Sequence, residues 1–397
     1  MKRICLTVIG LYIGLLSAFS QAINNGDSSL YKKRKLRVEE VNIVSSYYHQ
    51  EGSHAAVTGG IGSQKLTDIA NTFDVKLNKY DKRLRKHTWD IELGIDHYTS
   101  ASSDMIDPKD ISSASSADTR VYPSINWSME NEQNGKTIGA GISNSIEYDY
   151  QSYGANFNFG RKYAEKNAEY NVKLQALFDR VSMIIPVELR GTGQYQENGF
   201  KPRNSFSASF SYSKIINREL QLMFVLDGIY QQGYLGLPFN RVYFDDGSLR
   251  IENMPDSRIK IPIGLRANYF LGDRVILRAF YRYYWDDWGL TAHTASLEVP
   301  VKINPFLSIS PFYRFYSQTA VDHFAPYQQH HVGEEFYTSN YDLSKFNSHN
   351  YGAGIRWSPA NGVFGVKKFN MIELRYGHYT RSNDLQSNII SMNLRFR

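Results

Sequence analysis

Ionisable residues recur at alternate positions in several stretches of the chain, and that spacing is where its chemistry begins. Asp68, Asp74, Asp90, Glu92 and Asp96 share one parity with Lys76, while Ile69, Phe73, Val75, Leu77, Trp89, Ile91, Leu93 and Ile95 take the other. Lys260, Arg266, Arg278 and Arg282 alternate in the same way with apolar residues, and Arg314, Arg356 and Arg375 extend the basic series. Successive side chains of a strand point to opposite faces. Each stretch therefore presents an apolar face and a charged one. Grouped carboxylates facing grouped guanidinium groups across a narrow, partly low-dielectric space would steer ions and zwitterionic or anionic solutes. The plain alternative is that these charges pair with neighbours and brace a wall or a plug.

Other chemistries are weaker. Catalysis needs a nucleophile or base within reach of a partner. The cluster worth testing is Asp96-His97 with Ser102, Ser103 and Asp104, but adjacent strand residues diverge, so Asp96 and His97 form no simple pair. No catalytic residue is assigned, and the expectation is a protein that is not an enzyme. Asp104, Asp107 and Asp110, and Asp245-Asp246-Gly247, lack the spacing of a calcium loop and read as turn chemistry. His323, His330 and His331 lack defined metal-ligand spacing and read as a solvated loop. The segment HAAVTGGIG, residues 54–62, has no phosphate-loop lysine and opens no helix; it reads as a tight loop, with a place in a barrel mouth as one option. No cofactor and no metal site are expected.

Strands must position the charges. From Arg258 to Trp288 apolar and polar residues alternate on both sides of Leu271-Gly272-Asp273, the signature of a β-hairpin. Its arms run about ten residues or slightly more, the length of a tilted bilayer-crossing strand, against about five or six in most soluble sheets. Tyr283, Trp285 and Trp288 fit an aromatic girdle at one interface. The pattern repeats along residues 38–397, and sixteen candidate strands result; a misread pair would make fourteen or eighteen. The connections after even-numbered strands read as short, and the long ones follow odd-numbered strands. That is the plan of an antiparallel up-and-down transmembrane barrel with short periplasmic turns and long external loops. Sixteen strands commonly leave an aqueous channel.

The N-terminus sets the compartment. Lys2-Arg3, the apolar run Ile4 to Phe19 and Ser20-Gln21-Ala22 make a secretory signal peptide over residues 1–22. A short polar periplasmic leader, 23–37, with the basic cluster Lys32-Lys33-Arg34-Lys35, then precedes the barrel. The one cysteine, Cys5, lies inside the signal, so thiol chemistry is excluded from the mature chain. Past residue 22, 43 basic side chains stand against 39 acidic ones, a net +4. That balance is too mild for a nucleic-acid binder. Abundant Tyr (29) and Phe (22), few Pro (12) and no long apolar run suit an exported barrel and exclude a helical membrane protein. Its expected partners are outer-membrane lipid and the barrel-assembly machinery of a Gram-negative envelope. Phe396, rather than Arg397, would supply the terminal aromatic.

The segments SYYHQEGSHAAVTGGIGSQKLTD, DHYTSASSDMID, LRAFYRYYWDDWGLTAHT, SPFYRFYSQTA and TSNYDLSKF resemble, in order, a bacterial envelope family known as domain of unknown function 3570. The resemblance covers nearly the whole mature chain and implies an outer-membrane β-barrel. It carries no assigned activity, so no catalytic residue follows from it. It also implies a neighbourhood of thioredoxin-like proteins and flavin transferases, hence periplasmic partners of those kinds in an envelope redox system. The sequence thus supports a channel or the barrel component of an envelope complex. A binding or scaffold protein built on the long loops is the alternative, and an outer-membrane hydrolase a more distant one.

Overall fold

In the computed structural model the described residues are 35–99, 117–163, 167–195 and 198–397. The signal segment, nearly all of the leader, and Ser102, Ser103, Asp104, Asp107 and Asp110 lie outside them. Alternation becomes strand at every predicted place. The barrel strands are β1 Arg37–Gly52, β2 Leu66–Tyr80, β3 Lys86–Thr99, β4 Ala117–Asn131, β5 Lys136–Ile146 and β6 Tyr150–Lys162. They continue as β7 Ala168–Ser182, β8 Phe200–Ile215, β9 Leu220–Gly233, β10 Ser257–Leu271 and β11 Val275–Asp286. The last five are β12 (Thr291–Glu298, resumed at Val301–Asn304), β13 Leu307–Gln318, β14 Phe346–Trp357, β15 Phe369–Arg381 and β16 Leu385–Phe396. The interruption in β12 falls at Val299-Pro300, where proline has no N–H for the ladder.

Each strand pairs antiparallel with its sequence neighbours, and β1 pairs with both β2 and β16. The sheet therefore closes into a sixteen-stranded barrel and leaves no edge, the condition for crossing a bilayer with strands. Register carries one face from strand to strand: Ile91 opposes Ile125, which opposes Ile142. These three side chains are exposed, as are Leu174, Leu265, Ile355 and Leu374 around the same outer surface. So large an apolar surface is untenable in water and is what lipid requires. One connection departs from expectation. The link after β14, residues 358–368, is longer than the other even-numbered turns and folds through a 3-10 turn at Val363–Gly365.

The inner face is polar and built for contact between side chains. Gly94 on β3 opposes Tyr122 on β4. A Cβ at Gly94 would fall 1.9 Å from the Tyr122 ring, so the missing side chain is what lets the ring lie across β3. From there the Tyr122 hydroxyl donates to Asp96 Oδ1 at 3.0 Å.

Candidate functional site: a charged lumen beneath crossed rim loops

Register places the five acids together. Asp74 opposes Glu92 and Lys76 opposes Asp90 across β2 and β3, with Asp68 and Asp96 on the same face toward the long-loop rim. Lys76 and Asp90 form an ion pair at 3.5 Å, and Asp74 accepts from Asn42 Nδ2 at 2.9 Å. Asp68 Oδ1 has no donor among the described residues. This wall is acidic with partial internal compensation.

The basic residues lie on the inner face of β10 to β15. Arg266 opposes Phe280, which opposes Ser296, which opposes Arg314, so two cations flank one aromatic ring at one level of the wall. The Arg266 guanidinium sits 5.4 Å from the Phe280 ring centroid. Glu298 tempers part of the wall, lying 3.9 Å from Arg278 and 3.2 Å from Arg375, which also meets Glu373. Among the described residues Lys260, Arg266, Arg282, Arg314 and Arg356 have no carboxylate within 4.0 Å. In a ring of sixteen, β3 and β11 are eight strands apart, so the β10–β11 part of the basic series faces the acids of β2 and β3.

The three aromatics of the expected girdle do not share one environment. Tyr283 and Trp285 share the outward parity of Tyr281, and Trp285 is exposed. Trp288 is not a girdle residue. It is 4 % exposed and packs with Met254, Leu290, Ala292 and Val321 beneath the rim loops. The chain leaves the ladder after Asp286, so strand parity no longer decides where residue 288 points. There the Arg258 guanidinium lies 4.1 Å from its ring centroid. Arg258 also pairs with Asp286, which is fully buried and further accepts from the Tyr284 hydroxyl and the backbone N–H groups of Trp288 and Leu290. This anchor was missed because its two charges lie 28 residues apart, one at the start and one at the end of a hairpin.

The long-loop rim holds the least anticipated feature. Arg241, in a short hairpin of Arg241–Tyr243 with Leu249–Ile251, donates from Nη1 to the Val57 carbonyl at 2.8 Å. Val57 rises from β1 and Arg241 from β9, and these strands are eight apart in the ring. A direct bond between them must cross the mouth. Arg241 also pairs through Nε with Glu188, in the loop after β7. The loop after β13 joins the same layer. The Tyr337 N–H donates to the Asn253 carbonyl at 2.8 Å, and His54 stacks on Tyr341 with centroids 3.8 Å apart. Segment 54–62 accordingly has Ala55 and Val57–Gly60 buried, at the mouth rather than free in solvent.

Within this layer Glu252 is wholly buried and accepts from Thr338 Oγ1, the Leu237 N–H at 2.8 Å and Asn240 Nδ2. Burial pushes its carboxyl above the ordinary range. The histidines are not uniformly solvated. His330 is 1 % exposed, with Nδ1 2.6 Å from Glu334 and Nε2 3.0 Å from the Thr338 carbonyl. His331 is exposed, and its hydrogen bond to Asp245 raises its pKa. Asp246 accepts from the Ser248 N–H ahead of Gly247 (φ 80°), the turn chemistry expected of this motif. Asp96 and His97 do diverge: His97 Nδ1 meets Thr119 Oγ1 at 2.9 Å on the opposite face.

A closed barrel with an apolar exterior, a polar charged interior and loops packed over one mouth defines the class: a bilayer-spanning β-barrel. The chain belongs to the family described as "Protein of unknown function (DUF3570)", whose model matches residues 96–391. No curated protein matches it in sequence. Similar solved structures include the Pseudomonas aeruginosa protein OccK9 (OpdG), at 7% identity and TM-score 0.43, covering 91% of this chain and 98% of that one. A BenF-like porin from Pseudomonas fluorescens Pf-5 is similar at 7% identity and TM-score 0.44, over 90% and 98%. The Pseudomonas aeruginosa ferric enterobactin receptor (PfeA) is similar at 12% identity and TM-score 0.46, over 87% of this chain and 54% of that chain.

Proposed function

We propose that this protein is an outer-membrane pore of a Gram-negative envelope, exported by its N-terminal signal, with a lumen that selects solutes by charge. The observation that carries the proposal is the row of basic side chains on β10 to β14 without carboxylate partners among the described residues, whose β10 and β11 members lie eight strands from the acids of β2 and β3. Unpaired guanidinium groups beside an aqueous path focus field lines and raise the local concentration of anions. The crossed loops make entry from the long-loop side a gated step. Passage rather than reaction is the reading we favour, and the divergence of Asp96 and His97 to opposite faces supports it.

Planar-bilayer conductance of the purified full chain tests this reading. Discrete channels are expected, and reversing Arg278 and Arg282 to Glu should move the reversal potential in a salt gradient toward cation preference. Conductance with unchanged selectivity sinks the charged-wall reading. A sealed barrel that remains sealed when the rim loops are loosened favours a second reading, a receptor or scaffold, which the packed loops also suit. In that case periplasmic thioredoxin-like or flavin-transferase-linked partners become the first candidates, and pull-down against the full chain would find or exclude them.

A further inference from the structure

Between the acidic and basic walls, the lumen surface of β4 to β7 is mostly uncharged and contains a recess of about 410 Å³. That volume lies in the range of small-molecule sites, roughly 300–1,000 Å³. Register builds it in rows. Asn126 on β4 opposes Gly141, which opposes Asn156, which opposes Gln175 on β7. A Cβ at Gly141 would lie 2.0 Å from Asn126 Oδ1 and 2.7 Å from Asn156 Nδ2, so the glycine lets two amides meet over it. They do so with Asn156 Nδ2 donating to Asn126 Oδ1 at 3.0 Å. The next inward rows bring Ser124 beside Ser143, and Ser145 beside Ser152 and Asp179.

Two features turn this polar surface into a site. The Asp179 side chain is 5 % exposed; one of its oxygens accepts from the Tyr150 hydroxyl, and the other has no donor among the described residues. The Gln175 amide likewise holds no side-chain hydrogen bond among them. The lining carries two acids, Glu92 and Asp179, and two bases, Arg120 and Lys173, so its formal charges cancel. Closely spaced amides and hydroxyls offer donors and acceptors alternately, which suits a ligand whose groups can both donate and accept. A carboxylate oxygen lacking a donor asks for a hydroxyl and gains nothing from an ether.

The geometry points to a subsite for neutral polyhydroxylated solutes, of mono- or disaccharide type, on the β4–β7 wall of the lumen. It rests on the proposed pore for access, and the experiment separates the two. Maltose and the ether-rich tetraethylene glycol are the probes, measured by current block in planar bilayers and by saturation-transfer NMR on the full chain in detergent micelles. Maltose should block saturably at a concentration about tenfold below that of tetraethylene glycol. Gln175→Leu should raise the half-blocking concentration about five- to tenfold, the loss expected for one hydrogen bond. Asn156→Leu should do the same, and Gln175→Leu stands if that variant fails to fold, because Gln175 supports no neighbour. Asn268→Leu, a lumen amide on β10 outside the recess, should leave block unchanged. Equal block by the two probes, without saturation transfer to maltose, overturns the subsite and leaves the pore intact, the recess then holding water alone. A non-conducting barrel that still transfers saturation to maltose, and loses it in Gln175→Leu, overturns the pore and retains the subsite.

Discussion

Replacing Arg241 with alanine removes the bond that joins opposite sides of the barrel mouth. The side chain is 8 % exposed and makes two charge-assisted contacts, to the Val57 carbonyl at 2.8 Å and to Glu188. Hydrogen bonds to charged groups contribute about 1.5–3 kcal/mol each. Glu188 keeps 38% of its side chain in solvent and can be rehydrated, so its share is discounted for screening. The total is then on the order of 2–3 kcal/mol, which shifts a closed-to-open equilibrium by roughly 30- to 150-fold at about 1.4 kcal/mol per decade. Single-channel recording should show Arg241→Ala dwelling in higher-conductance states far longer than the native chain. Arg241→Lys should fall between them, because it keeps the charge but not the guanidinium's two-directional reach. If Arg241→Ala gates like the native chain, and Glu188→Gln does too, the loops do not hold the mouth shut.

The buried anchor should behave differently. Asp286→Ala leaves the Arg258 charge buried without its partner and should cost about 3–5 kcal/mol, read as a lower temperature for the folded-to-unfolded shift of unheated samples in gel electrophoresis. Arg258→Met combined with Asp286→Leu should recover part of that loss, and equal stability of single and double variants would count against a charge-based role. The rim should also respond to pH. His331 binds its proton more tightly when it faces Asp245, so that contact contributes fully below the ordinary histidine value of about 6.5 and is lost as pH rises through the elevated folded value. Glu252 acts in the same direction, since its raised carboxyl favours the packed loops while protonated and opposes them as it ionises; nearby Glu334, held low despite burial by donors from His331 and His330, stays ionised. Channel opening should therefore increase from pH 6 to pH 8, and by less in His331→Gln; an undiminished response in that variant removes His331 from the account.

The wall was legible in the sequence because its rule is local. A period of two, bounded by turns such as Leu271-Gly272-Asp273, fixes strand, face and partner together, since a one-residue slip would turn Ile261 and Ile263 into the lumen and Lys260 and Arg266 into lipid. The same rule placed Asp90, Glu92, Arg278 and Arg282 on the inner face. It fails where a chain leaves the ladder: two residues past the end of β11, Trp288 turns into the loop core and not toward lipid. His330 and Arg241 are harder still. The bond from Arg241 to Val57 spans 184 residues, and no periodicity or motif near either residue marks it.

That contrast carries a functional consequence. Sixteen strands set a circumference that commonly leaves an open aqueous channel, so in the proposed pore closure falls to segments reaching over the wall. Strands eight apart are diametrically opposed in this ring, and the loops after β1 and β9 are the ones Arg241 ties together. The wall also needs residues to balance its charges, yet Arg266, Arg282, Arg314 and Arg356 stand without carboxylate partners among the described residues. A barrel serving only as a structural stave gains nothing from unpaired cations facing inward, and their mutual repulsion is a cost. Crossed loops outside and uncompensated charge inside both make sense if something is admitted at the mouth and then sorted along the lumen.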